Sequence, residues 1–112
     1  MKYVAALAAL FLGAVPVQAQ DWVKLDGVEI AQGLTGQELL YENGDRQQFL
    51  KSGETPYFAS RPSTGYWGVR GDQYCSVWPP SDLWSCYDLE RSGPRFRFTG
   101  KHGDQTVGVL VE

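Results

Sequence analysis

Turn-forming residues recur along this chain roughly every eight to twelve positions, and that spacing constrains its fold more than any other feature. Asn43-Gly44, Ser52-Gly53, Pro62 to Gly65, Gly71-Asp72, Pro79-Pro80-Ser81, Ser92-Gly93-Pro94 and Lys101 to Asp104 punctuate short runs rich in aromatic and β-branched residues. Between these punctuation marks the spacing predicts strands over Glu38–Glu42, Asp45–Lys51, Thr55–Ser60, Tyr66–Arg70, Gln73–Trp78, Trp84–Glu90, Arg95–Thr99 and Thr106–Val111. Asn43-Gly44 is the strongest hairpin signal and points to a two-residue type I′ turn. Phe96 and Phe98 alternate with Arg95, Arg97 and Thr99, as a strand with one apolar face requires. By the same alternation Val107, Val109 and Val111 form the apolar face of the last strand. The expected fold is all-β: an antiparallel meander of about eight strands. Such a meander closes into a barrel more readily than it stays open, because closure removes the unpaired edges.

One helix precedes the meander. Asp26-Gly27-Val28-Glu29 has the form of a capping box, with Asp26 as N-cap and Glu29 three residues on. Val28, Ile30, Ala31 and Leu34 supply the apolar positions of one or two turns ending near Gly33.

The first nineteen residues read as a secretory signal peptide. Lys2 gives a basic start, Val4 to Leu12 is an unbroken apolar run, and Val17-Gln18-Ala19 fits a small-x-small cleavage site. The run is too short for a permanent bilayer anchor, and no Cys stands near the cut to carry a lipid. The expected mature protein is a single domain over residues 20–112, periplasmic or secreted, without stable membrane insertion, and a monomer. The chain carries a formal charge of −3, and Lys2 is the only charge the leader holds. A net-acidic domain is a poor partner for nucleic acid.

A domain of this size buries a modest core, so a covalent staple helps. Cys75 and Cys86 are the only cysteines. In an oxidising compartment the pair reads as one disulfide, closing a loop of about a dozen residues. The segment around them, Tyr74-Cys75-Ser76-Val77-Trp78-Pro79-Pro80-Ser81-Asp82-Leu83-Trp84-Ser85-Cys86-Tyr87, is nearly palindromic in residue type. A hairpin with a wide loop produces that symmetry, with the two cysteines opposite each other at a non-hydrogen-bonded position. Two readings of the tip stand side by side. Trp78 and Trp84 pack over the disulfide and lid one end of the barrel, or Trp78, Pro79, Pro80 and Trp84 form a stiff aromatic loop presented to a partner.

These motifs carry a resemblance. Leu34-Thr35-Gly36-Gln37-Glu38-Leu39, then Gly65-Tyr66-Trp67-Gly68-Val69, then the Cys-Ser-x-Trp and Trp-x-Cys-Tyr pair resemble a family of small exported alphaproteobacterial proteins of uncharacterised function. The resemblance spans roughly Leu34 to Gly108. It implies a lipocalin-like or related small β fold and brings no active site with it.

The residues with reactive side chains do not assemble into a recognisable set. His102, the only histidine, lies in a Lys-His-Gly-Asp turn with no nucleophile or orienting partner signalled by spacing. A lone His and an oxidised Cys pair do not make a zinc site. Asp72, Asp82, Asp88, Glu90 and Asp104 are scattered, and no calcium loop or phosphate-binding glycine loop is present. Arg95, Arg97, Arg91 and Lys101 suggest a small positive patch on a solvated face. No catalytic residue, metal or cofactor is expected. The expectation is a non-enzymatic binding or inhibitor-type module with a protein partner in the cell envelope. The alternatives are a small-molecule carrier with aromatics such as Phe49, Tyr57, Phe58, Trp67 and Phe98 around its interior, or a structural envelope protein. Against the carrier stands the small interior of an eight-strand barrel, which side chains nearly fill.

Overall fold

The computed structural model describes residues 21–112, and the expected leader lies outside them. A two-residue strand β1 (Val23–Lys24) leads into helix α1 (Gly27–Leu34). Eight strands follow: β2 (Gln37–Tyr41), β3 (Arg46–Phe49), β4 (Glu54–Phe58), β5 (Pro62–Arg70), β6 (Gln73–Val77), β7 (Ser85–Ser92), β8 (Arg95–Thr99) and β9 (Gln105–Leu110). Each of these pairs antiparallel with the next in the chain. β9 returns to β2, with Leu40 opposite Val109, and closes an eight-stranded barrel. The all-β meander and its closure are therefore as the turn spacing predicts. β1 has no periodic signal of its own. It pairs with Glu90 and Arg91 of β7, beyond the stretch of β7 that β6 reaches.

The helix forms as its capping box dictates. The Asp26 carboxylate accepts from the Glu29 N–H at 2.9 Å, and the Glu29 carboxylate accepts from the Asp26 N–H at 2.9 Å. These reciprocal bonds satisfy donors that a helix start otherwise leaves unpaired. Ile30 and Leu34, one turn apart, are fully buried in the barrel end. Each contributes about 1.5–3 kcal/mol of apolar burial, which outweighs the cost of Gly33 in so short a helix. The Gly27 N–H also donates to the Asp72 carboxylate at 2.8 Å, tying the helix start to the β5–β6 turn.

Three details of the sequence reading change. Asn43-Gly44 is not a two-residue turn. The Tyr41 N–H donates to the Asp45 carbonyl and the Gly44 N–H to the Tyr41 carbonyl, with φ +92° at Gly44. This is a three-residue loop whose last position is left-handed, the second most common way to join two strands. Pro62 to Gly65 is strand rather than turn. Pro62 opens β5, where its missing N–H costs no ladder bond, and the reversal falls at Ala59 to Arg61.

The third change is on β9, where Thr106, Gly108 and Leu110 face inward and Val109 faces solvent. The cause lies on the neighbouring strand β2, where Tyr41 pairs with Gly108. A side chain at Gly108 would meet the Tyr41 ring at 2.9 Å, so the ring occupies the space that a larger residue there would need.

The core fills the helix-covered half of the barrel. Phe49 is fully buried, with Trp67 and Tyr74 edge-on at 5.6 and 5.8 Å and Phe98 stacked at 6.4 Å. Leu39, Leu89 and Phe96 complete this layer beneath Ile30 and Leu34. The Trp67 indole N–H donates to the Leu50 carbonyl at 2.9 Å, so the buried ring leaves no polar atom unpaired.

Candidate functional site

The other half of the barrel is not filled. Strands point alternate side chains inward, and the inward positions near this end are small or polar: Ser63 and Gly65 on β5, Ser76 on β6, Thr106 on β9. Opposite them stand rings long enough to line a wall but too few to fill the space. The result is a cavity of about 470 Å³ at the end of the barrel away from α1. That size lies in the range of pockets that hold small organic molecules.

The wall is an aromatic belt. Trp78 meets Tyr57 edge-on at 5.7 Å, Tyr57 stacks on Tyr41 at 6.1 Å, and Tyr41 meets Phe98 at 6.4 Å. Phe98 in turn contacts Tyr74 at 5.0 Å and Tyr87 at 6.4 Å. Beneath the belt the Gln47 amide, only 5 % exposed, is a hydrogen-bond hub. The Tyr41 hydroxyl donates to its oxygen at 2.6 Å, and its nitrogen donates to Thr55 at 2.9 Å and to the Tyr74 hydroxyl at 3.1 Å. The Thr55 hydroxyl in turn donates to the Gln48 carbonyl. A buried polar network of this kind is stable because its members satisfy one another.

Burial shapes the acidity of these phenols. Desolvation raises the Tyr41 and Tyr74 hydroxyls well above the ordinary tyrosine range. Tyr57 is pushed up to about 12, first by burial and then because its proton is donated to the Asp45 carboxylate at 2.9 Å. All three phenols are therefore neutral at any physiological pH. Asp104 stands at the rim.

The structure separates the residues of the Trp-Pro-Pro loop. Cys75 and Cys86 face each other across β6 and β7 and form the disulfide, with Cα atoms 4.0 Å apart. Trp78 turns into the mouth of the barrel and packs where Gly65 leaves room, since a Cβ on Gly65 would stand 2.6 Å from the ring. Its indole N–H donates to the Ser76 hydroxyl at 3.3 Å. Trp84 stays 39 % exposed and carries the Arg70 guanidinium 4.5 Å from its ring centre. Pro79 and Pro80 are exposed at the tip, and Leu83 is 77 % exposed.

The other candidates are dispersed. Asp72 holds the helix start at the far end, and Asp88 accepts from the Gln73 amide. His102 lies exposed in the β8–β9 turn at the cavity end. Arg97 bonds Glu90 at 2.7 Å and stacks over Trp22, whereas Arg91 stacks on Phe96, so the arginines do not form one patch. Among the described residues no group of three or more His, Cys, Asp or Glu is placed to hold a metal ion. No helix among them is long and apolar enough to cross a membrane.

Sequence reasoning offers an aromatic-lined interior only as an alternative and weighs against it; of the aromatics it names, Tyr57 and Phe98 line the cavity, Phe49 and Trp67 sit in the core and Phe58 is exposed. A further signal for the cavity exists. Ser63, Gly65, Ser76, Thr106 and Gly108 all occupy inward positions where a filled barrel would place branched aliphatics. No family model matches the chain, and neither a curated protein nor a solved structure matches it.

Proposed function

We propose that this chain is an exported, non-enzymatic binding protein whose barrel mouth takes up a small organic molecule. The observation that carries the reading is the 470 Å³ cavity, with its aromatic belt, the Gln47 hub beneath and an open end. Ligand pockets combine a mainly apolar wall with a few fixed polar groups in this way. The wall stands on strands of a closed barrel and is stapled at β6–β7, so little ordering is needed on binding. The expected crowding of an eight-strand interior holds only for the half beneath α1.

Native mass spectrometry of gently isolated protein tests this. Wild type should carry a non-covalent adduct of small-molecule mass. Ser76→Phe, which pushes a ring into the cavity, should lose it while keeping the wild-type circular-dichroism spectrum. A wild-type protein that is free of adduct in every preparation would sink the proposal.

A second reading rests on the loop tip, where Leu83 and Trp84 are exposed beside Pro79 and Pro80. There the loop presents an apolar anchor to a protein in the cell envelope. A pull-down comparing wild type with Leu83→Ser plus Trp84→Ser tests it. Identical recovery by both counts against it.

A further inference from the structure

The walls of the cavity also specify the charge of what enters it. An aromatic ring is electron-rich on its face, so a belt of rings attracts a cation and is indifferent or hostile to an anion. Tyr41, Tyr57, Trp78 and Tyr87 all line the space, and Asp104 adds a carboxylate at its rim. Asp45 stands one hydrogen bond behind, accepting from the Tyr57 hydroxyl and so enriching that ring further. No Lys, Arg or His is among the lining residues. Lys101 and His102 are exposed in the neighbouring turn and stay outside the wall.

The chain itself shows what its aromatic faces prefer. Arg97 stands 4.4 Å from the centre of Trp22, Arg70 4.5 Å from Trp84, and Arg91 4.7 Å from Phe96. At those three places a guanidinium of the protein is the partner. Among the described residues no cation stands over the rings of the mouth. Burial makes Tyr41 and Tyr57 weaker acids and keeps them uncharged, so the carboxylates are the only negative charge in the site.

From this juxtaposition we infer that the ligand is an organic ammonium ion, with a positively charged, alkylated nitrogen seated among Tyr41, Tyr57, Trp78 and Tyr87 and steered by Asp104. This inference rests on the cavity being a ligand site. It adds the chemical class: a cation whose charge is spread over methyl groups, which loses little hydration on entering a cage of rings.

The test compares three probes of similar shape by NMR titration of the full domain: benzyltrimethylammonium, its uncharged carbon isostere neopentylbenzene, and benzenesulfonate. The cation is expected to bind at least tenfold more tightly than either of the others and to shift resonances of Trp78, Tyr87 and Thr106. Asp104→Asn should weaken the cation severalfold and leave the neutral probe unchanged. Tyr87→Leu, which keeps the wall apolar but removes a ring, should cut the preference for the cation. Equal affinity for cation and neutral isostere, or tighter binding of the sulfonate, overturns the ammonium assignment and leaves the cavity as a binding site. Absence of any shift at the mouth with all three probes overturns it as well, and an adduct-free native spectrum would then remove the cavity reading separately.

Discussion

Replacing Gln47 with leucine tests whether the polar hub is what holds the mouth in shape. The side chains are similar in size, so the change removes hydrogen bonds with little change in volume. It deletes the acceptor of the Tyr41 hydroxyl and the donors to Thr55 and Tyr74. Thr55 keeps its bond to the Gln48 carbonyl, so two hydroxyls are orphaned rather than three. A buried polar atom without a partner costs about 1–3 kcal/mol. Both phenols also face the cavity, where water can reach one side of them, which favours the lower figure for each. Burying leucine instead of an amide returns part of the loss. The expected net destabilisation is about 1.5 kcal/mol. In urea, with a slope of about 1 kcal/mol/M for a domain this small, the midpoint falls by roughly 1.5 M. Adding Tyr41→Phe to the leucine variant should restore about 1 kcal/mol, because removing both partners of a bond is nearly neutral. A Gln47→Leu protein with an unchanged or higher midpoint, or a double variant with no recovery, would refute the argument.

Four further outcomes follow from the geometry. Replacing Cys75 and Cys86 together by alanine should cost about 3 kcal/mol, from the freedom returned to a loop of about a dozen residues in the unfolded chain, read as a drop in urea midpoint. Phe49→Ala should cost about 3–5 kcal/mol, enough to leave a domain this small largely unfolded at room temperature by circular dichroism. Gly65→Ala sets a methyl group 2.6 Å from both the Trp78 ring and the Val77 carbonyl. It should cost about 1–3 kcal/mol and shift tryptophan emission as Trp78 is pushed from the wall. Alkali should unfold the protein in a defined window. Tyr57 has a folded value near 12 against 10.0 in a free chain, and Tyr41 and Tyr74 are raised too, so their stabilisation is complete below pH 10. It is lost as pH climbs through 10 toward 12 and beyond, and urea midpoints at pH 9 and pH 11 should differ accordingly. Equal midpoints would contradict it.

Features that depend on neighbours in the chain were readable in the residues. Asp26 and Glu29 form their capping box bond for bond, because both partners lie within one turn. Arg95–Thr99 is a strand with the expected limits, and the palindrome around Cys75 and Cys86 pairs in the expected register. What depends on strands distant in the chain was not readable. The apolar residues of β9 read as inward by composition, yet Tyr41, its partner on the adjacent strand β2 and 67 positions away in the chain, requires Gly108 on the inner face. Gly65 looked like a turn residue because its partner, Trp78, is thirteen positions away. β1 is too short to have a period. The cavity is legible only as the disfavoured alternative of an aromatic-lined interior, because emptiness is a property of eight strands together, and no single run of Ser, Thr and Gly announces it.

Both ends of the described chain leave the barrel beside one hairpin. β1 meets β7 at Glu90 and Arg91, and β9 finishes where the Leu110 N–H donates to the Pro94 carbonyl, within the turn that follows β7. The cavity opens at the opposite pole. Anything attached at either end of the described residues, whether a fusion, a tag or a sensor surface, therefore holds the molecule by its base and leaves the mouth turned toward bulk solution.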